Sequence, residues 1–460
     1  MGVPPRGMIH MEDKQIGLSR RKMLAGLGIV GVASAGAGLG TTAYFSDEES
    51  FTDNTLTAGE LTLYVHYDYY ADQGQFLGTT SDSGVVGGDP GEVSDVTYEF
   101  DLDDVKPGDS GHKKFCFSIV DNPAYLWACG ELTENAQNGY TEPELSTLNA
   151  GGFDHDDTDF GGQLADAIDV TLAYCTEEFN EDSEEMELSV GEEIASGSLA
   201  QIMGALQNGV PLNGDGDASG PVADRPTFEA SETPEETAEQ CVCLFWEIDP
   251  EEVGNEIQTD SVAFDLTFYA EQARHNDGTN NPCISTVEVD GFGKDYYDDG
   301  DVEKLWFSKV RNGRTGFNIQ VGDTNSDQEN ANYDFGGSSF AGTVSLAYDA
   351  PSGIATLTVD NGSTGMVSYD VDDTPGNVLA IVARGNDSSH RTSVSNVQVN
   401  GTTPSGADSV EADGDEIVSL NVEGLNTGSS WELTADLEFD GLDPSGSDEN
   451  PAMYVDVLTV

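Results

Sequence analysis

The sequence predicts an all-β protein, and three observations carry that reading. Apolar residues alternate with polar ones in short runs, as at Leu61, Leu63 and Val65 or at Val262, Phe264, Leu266, Phe268 and Ala270. Turn residues separate those runs, for example Pro107-Gly108-Asp109 and Asp121-Asn122-Pro123. A helical period shows in one segment, where Leu199, Ile202, Met203 and Leu206 follow a Ser198/Gln201 capping box and Gly209 closes the run. The expected fold is an N-terminal jelly-roll-like β-sandwich with one short helix, followed by a second antiparallel β-sandwich.

Taken in order, the first strand covers Leu61–Tyr67 and a Gly- and Asp-rich loop follows over 71–94. Val96, Tyr98, Phe100 and Leu102 alternate again, then Phe115, Phe117 and Ile119, then the AYLWAC run after Pro123. Residues 211–239 are acidic and proline-dotted, a loop before the apolar strand CVCLFWEI and the last strand SVAFDLTFYAEQ. Composition changes near 275–285: beyond Cys283 there is no cysteine, and short strands such as TVSLAYD, GIATLTVD, NVLAIVAR and WELTADLEF recur with turn signals between them. The domains expected are an export signal at 1–43, a cysteine-bearing sandwich at 44–283 and a second sandwich at 284–460. The 52 residues after TPSGAD are few for a core of their own and finish the second domain.

Charge limits the partners. There are 86 acidic residues against 17 basic ones, a formal net charge of −69, spread along the whole chain. With 19 Phe and 16 Tyr this is a folded protein with an acidic surface rather than a solvating tail. Such a balance suits molar salt, where screening removes the self-repulsion. Nucleic acid and anionic lipid are excluded as partners because no basic patch exists to meet them.

The first 43 residues address the chain. Ser19-Arg20-Arg21-Lys22 is a twin-arginine pattern, followed by an apolar Gly/Ala-rich stretch that ends in Thr41-Thr42-Ala43. Cleavage after Ala43 gives an extracellular chain starting at Tyr44, with 84 acidic and 12 basic residues. The six cysteines, Cys116, Cys129, Cys175, Cys241, Cys243 and Cys283, then read as disulfides, with 15 possible connectivities. Cys241 and Cys243 share one strand face, so each bonds a different partner. Cys116 and Cys129 lie symmetrically about Asn122–Pro123, and a hairpin there would place them opposite each other.

Candidate chemistry is sparse. Asn213, Asp215, Asp217 and Ser219 offer oxygens at alternate positions, as a calcium loop would, and Asp154-His155-Asp156-Asp157-Thr158 is similar. Neither supplies the bidentate Glu of such a loop, zinc lacks a CxxC pair or clustered histidines, and no cofactor is assigned. There is no HExxH, GxSxG or CxxC pattern, and no catalytic residue is assigned. Asn361, Asn386 and Asn400 begin glycosylation sequons.

The stretches GLGTTAYFSD, TAGELTLYV, YEFDLDDVKPGD and NEIQTDSVAFDLTFYAEQ, in that order over roughly residues 19–275, resemble the TasA/camelysin family of exported proteins with SipW-type signals. The twin-arginine start, six cysteines and acidic inserts depart from the family and fit a haloarchaeal relative. The resemblance implies a structural role: self-association into filaments of a biofilm matrix or cell surface. Tyr44–Thr57, freed by the cut and without proline, would add as a strand to a neighbour's sheet edge. A surface adhesin binding glycans is the alternative class, and a metalloprotease-like hydrolase, which some family members are classed as, the third.

Overall fold

Leu63 and Val65 on one strand and Phe115, Phe117 and Ile119 on the next point the same way and are fully buried. Opposite them stand Leu126, Ala128, Phe264, Leu266 and Phe268 from a second sheet. Phe117 meets Phe268 and Phe228 edge-on at 5.0 and 5.6 Å, the favoured aromatic geometry. This is the first sandwich. The computed structural model describes residues 61–74, 78–88, 95–102, 105–151, 162–180, 185–238, 240–290, 302–311, 319–324, 326–371, 375–386, 388–442 and 451–459. The twin-arginine pattern, the Ala43–Tyr44 cleavage position, the Tyr44–Thr57 segment and the Asp154–Thr158 loop lie outside the described residues.

One sheet of the first sandwich runs in the order β2 (Thr79–Gly87), β1 (Thr62–Asp72), β4 (Ser110–Val120), β9 (Cys241–Glu247), β6 (Asp169–Asn180), β7 (Glu185–Ser198). Its partner sheet runs β3 (Asp95–Leu102), β10 (Ser261–Gln272), β5 (Ala124–Ala136), β8 (Val210–Leu212). A jelly roll places its first, last, third and sixth strands in one sheet and its second, seventh, fourth and fifth in the other, the outcome of two Greek keys. The first sandwich obeys that order when counting starts at β2, with β1 in the last strand's place. It is a circularly permuted jelly roll, extended beyond β9 by the β6–β7 hairpin.

The second sandwich has the order unpermuted. One sheet contains β12 (Glu303–Arg311), β24 (Ala452–Thr459), β18 (Val378–Arg384) and β22 (Ile417–Glu423). The other contains β15 (Ser339–Asp349), β23 (Trp431–Asp440), β19 (Arg391–Val399) and β21 (Val410–Asp413). The extra strands sit at the edges: β13 (Ile319–Thr324) and β14 (Asp327–Ala331) beside β12, β16 (Ile354–Asp360) and β17 (Thr364–Asp370) beside β15, β11 (Asn280–Asp290) and β20 (Thr403–Ser405) beside β22. Leu379, Ile381, Leu420 and Val457 face Leu346, Leu357, Leu433 and Leu437 in one core, with Trp306 stacked on Trp431 at 5.8 Å. The residues after TPSGAD supply β21 to β24, four of the eight jelly-roll strands.

Three expectations need correction. The 71–94 stretch holds β2, which pairs with β1 from Asp72↔Thr79 to Tyr64↔Gly87. It was hidden because TTSDSGVVG is an exposed edge strand with no apolar alternation. The first sandwich carries two further helices, α1 (Glu142–Gly151) and α2 (Leu164–Ala167), besides the expected α3 (Leu199–Gln207), whose capping box is formed. The domain boundary lies before Asn280, not after Cys283: β11 carries Cys283 and pairs with β22 of the second sandwich.

Asp260 fixes α2. Its Oδ2 accepts the backbone N–H of Gln163 at 2.5 Å and of Leu164 at 3.1 Å. Burial outweighs these bonds and pushes its pKa up to about 6. A carboxyl whose folded pKa exceeds its unfolded one favours the fold most at low pH, and that contribution is lost as pH rises through about 6. In the Asp260→Asn variant the loss is absent, so its Tm relative to wild type should climb between pH 4 and pH 7. A pH-independent difference would contradict this. Salt gives a second expectation. With so few basic residues most carboxylates have no cation to pair with, and repulsion reaches about 10 Å at 0.1 M salt but about 3 Å at 1 M. Tm should therefore rise from low to multimolar salt, and scanning calorimetry in NaCl checks it.

Candidate functional site

Alternation along β10 sends its apolar residues into the core and Asp265, Thr267, Tyr269 and Glu271 to the opposite face. On β5 the residues of that face are Tyr125, Trp127, Cys129 and Glu131. The register sets Glu271 against Tyr125, Tyr269 against Trp127, Thr267 against Cys129 and Asp265 against Glu131. The result is a platform of rings and carboxylates on the outer face of the first sandwich, and the second sandwich docks against it.

Three interactions hold that seam. Cys129 is bonded to Cys283 of β11. The Arg225 guanidinium lies 4.6 Å from the Trp127 ring and 5.1 Å from the Tyr125 ring. It donates to the carbonyls of Leu126 (2.5 Å), Leu212 (3.1 Å) and Gly278 (3.0 Å), the last in the connection between the sandwiches. Burial lowers its pKa to about 10, which leaves it charged at neutral pH. Finally, the Asn281 amide donates to the Asn208 carbonyl at 2.9 Å and to Thr402 Oγ1 at 3.2 Å, while Asn208 Oδ1 accepts the Asn426 N–H at 2.6 Å. Gly209 has φ +84°, and a Cβ there would strike the Asn281 amide, so glycine is required.

Two clefts open along the seam. One, about 390 Å³, is bounded by Trp127, Tyr269, Glu271, Asn280 and Ser405. The other, about 360 Å³, is bounded by Cys129, Glu131, Asp265, Thr267 and Gly424. Tyr269 and Pro282 border both. The sequence pattern placed Tyr269 and Glu271 on an outer face but gave no sign of what covers it. Arg225 carried a signal, being one of few cations in an acidic loop.

The other cysteines join strands within one sheet. Cys116–Cys241 links β4 to β9, and Cys175–Cys243 links β6 to β9, so the neighbours Cys241 and Cys243 do take different partners. The hairpin pairing of Cys116 with Cys129 does not occur, because β4 and β5 belong to different sheets. Three disulfides are the product of an oxidising environment. Among the described residues no helix is long and apolar enough to cross a membrane.

In the calcium-like loop the oxygens serve the loop itself. Asp217 Oδ1 accepts from the Ser219 N–H (2.8 Å) and hydroxyl (2.6 Å), Asp215 Oδ1 from the Asp217 N–H, and the Asn213 amide donates to the Asp217 carbonyl. No cluster of three or more His, Cys, Asp or Glu placed for a metal occurs among the described residues. His66 has a partner the sequence did not show: its Nε2 stands 3.0 Å from Ser118 Oγ and 2.8 Å from the Pro234 carbonyl. The Ser118 hydroxyl itself donates to the Glu236 carbonyl at 2.8 Å. Asn361 and Asn400 are exposed on turns, whereas Asn386 is partly buried.

No protein-family model matches this chain, and no curated relative does. A solved structure described as "The Triple Jelly Roll Fold and Turret Assembly in an Archaeal Virus" aligns at 10% identity, over 88% of this chain and 81% of that one, with a TM-score of 0.15. A score that low carries no argument, and the jelly-roll assignment rests on the strand orders alone.

The Cys129–Cys283 bond closes a loop of 154 residues, worth about 5 kcal/mol in the chain-entropy account. Replacing both cysteines with serine should split unfolding into two calorimetric transitions, one per sandwich. A single transition at the wild-type temperature would show that the seam holds without the bond.

Proposed function

We propose that the chain is an exported structural protein of the TasA/camelysin kind, a subunit of an extracellular filament or matrix that assembles by β-strand addition in high salt. The observation that carries this reading is the place of β1. β1 starts at Thr62, which pairs with Val120 of β4, and Tyr64 pairs with Gly87 of β2. β1 therefore starts inside a sheet, one strand from that sheet's edge.

The edge itself supports the reading. Natural edges are guarded by charge, proline or shortness. β2 is nine residues long, lacks proline and carries one charge, Asp82, while Val85 is 53% exposed. At the opposite edge β7 carries four glutamates, and in the partner sheet β8 is three residues long with a proline. The three disulfides suit a subunit that must persist outside the cell. Secretion, cleavage after Ala43 and adaptation to high salt belong to the same proposal.

Negative-stain microscopy of the mature protein in multimolar salt tests it. Filaments are expected from Tyr44 onward, and a chain lacking Tyr44–Thr57 should remain a folded monomer. Equal assembly by the truncated chain would sink the mechanism, and monomers from both would sink the filament role.

A further inference from the structure

We propose that Asn361 carries an N-linked glycan attached to the folded chain, and that Asn400, which begins the same kind of sequon, stays bare. This assignment rests on the reading of the chain as exported through the twin-arginine route, which carries folded proteins. A sequon is two groups, the amide that takes the sugar and the hydroxyl two residues on. A transferase that meets a finished fold must reach both. Asn361-Gly362-Ser363 offers both: all three residues are exposed. They form the whole connection between β16, which ends at Asp360, and β17, which starts at Thr364. Neither the Asn361 amide nitrogen nor the Ser363 hydroxyl makes a hydrogen bond among the described residues.

Other groups shape this turn and leave the two reacting groups of the sequon out of the work. Asp360 Oδ1 accepts the Gly362 N–H at 2.7 Å, and its Oδ2 accepts the Thr364 hydroxyl. Gly362 has φ +96°, a conformation that glycine adopts without strain. The hydroxyl of Tyr333, a buried residue, lies 2.7 Å from Asn361 Oδ1 and 2.8 Å from the Ser363 carbonyl oxygen. Tyr333 thereby holds the amide through its oxygen, and the nitrogen remains for the sugar. A glycosylated amide keeps that oxygen, so the contact survives attachment.

The Asn400-Gly401-Thr402 sequon fails on its second group. Thr402 is 2% exposed, and its hydroxyl is committed to the seam. It donates to the Val399 carbonyl at 2.7 Å and accepts the Asn281 amide at 3.2 Å. Asn400 is tied as well: its N–H donates to the Glu432 carbonyl at 2.8 Å and its Oδ1 accepts the Glu432 N–H at 2.9 Å. Reaching Thr402 means opening the contact between the sandwiches. Asn386 is partly buried, and its N–H donates to the Gly414 carbonyl at 2.7 Å. The step at Asn361 is a group transfer without redox change, with the sugar donor and the transferase supplied by the exporting cell. Asn361 Nδ2 attacks the anomeric carbon of a lipid-phosphate-linked oligosaccharide. The C–N bond forms, the C–O bond to phosphate breaks, the amide gives up one proton, and the lipid phosphate leaves with the electron pair.

The test is glycopeptide mass spectrometry of the full chain, made in a haloarchaeal host whose own surface protein is N-glycosylated and collected outside the cell. The Asn361 peptide should carry a glycan, at an occupancy at least tenfold above that of the Asn400 peptide. Asn361→Gln and Ser363→Ala should each remove it and Ser363→Thr keep it, with the circular dichroism spectrum unchanged in all three. An exported chain unmodified at Asn361 overturns the proposal. So does a glycan on Asn400 at comparable occupancy, which would mean attachment before Thr402 is buried. In a second arm, residues 44–460 follow the twin-arginine signal of a host protein and reach the outside whatever the native signal does. That arm tests Asn361 by itself, whereas retention of the native chain inside the cell would sink only the export reading.

Discussion

The first sandwich depends on one requirement of backbone chemistry: an interior strand position cannot be left empty. Between β2 and β4 lies the place that the last strand of a jelly roll fills, and both neighbours turn their N–H and C=O groups toward it. The chain cannot fill it from the far end, because β10, seventh in the order, runs on through residues 273–279 into β11 of the second sandwich. β1 fills it instead, pairing with β4 over all eleven of its residues and with β2 over nine. From Tyr64 to Asp72 its backbone thus has a partner strand on both sides. The permutation is thus what allows two jelly rolls to follow each other with so short a connection.

The short connection then decides where the second sandwich sits. β11 starts eight residues after β10 ends, so its sheet must lie against the outer face that β10 and β5 present. That face would be costly to cover were it merely polar. Cys129, Trp127 and Tyr125 make it possible, with Arg225 binding the connection at Gly278. A guanidinium loses much hydration when buried, but three carbonyls and two rings offset the loss, and Arg is better suited to this than Lys because its planar fork stacks and donates at once. The docking is imperfect beside Tyr269, which is why clefts remain there.

How much of this was legible in the sequence follows from what each feature exposes. β4, β5, β9 and β10 bury one face and show it as strict alternation; α3 shows its capping box and its apolar stripe. β2 buries almost nothing, so its polar, glycine-containing run looked like a loop. α1 was missed because Glu142–Gly151 carries little apolar character, and its inward residue is the buried Glu144, which accepts from Gln137 and from the Thr141 N–H. The different partners of Cys241 and Cys243 were readable from their spacing on one strand. The pairing of Cys129 with Cys283 was not, because it depends on which sheet each strand joins. The seam shared that fate: alternation indicates an outward face, but only the path of the chain indicates what lies on it.

The filled place also bears on how copies of this chain would join. Where a sandwich lacks a strand, a neighbour's segment must enter the gap, and the subunit alone is incomplete. Here β1 closes the sheet from within the same chain, so the described sandwich needs no donor to satisfy its interior. An incoming strand would find its open ladder at the outer side of β2, where the cost of leaving N–H and C=O groups to water is small. Joining would then be an addition, driven by the hydrogen bonds and side-chain contacts of one new edge pair. In a chain this acidic it would depend on salt to screen Asp47, Glu48, Glu49 and Asp53 of the arriving segment against one another and against Asp82 of β2. Strand order and charge together thus favour a reversible, salt-dependent edge contact over an obligatory exchange of a missing strand.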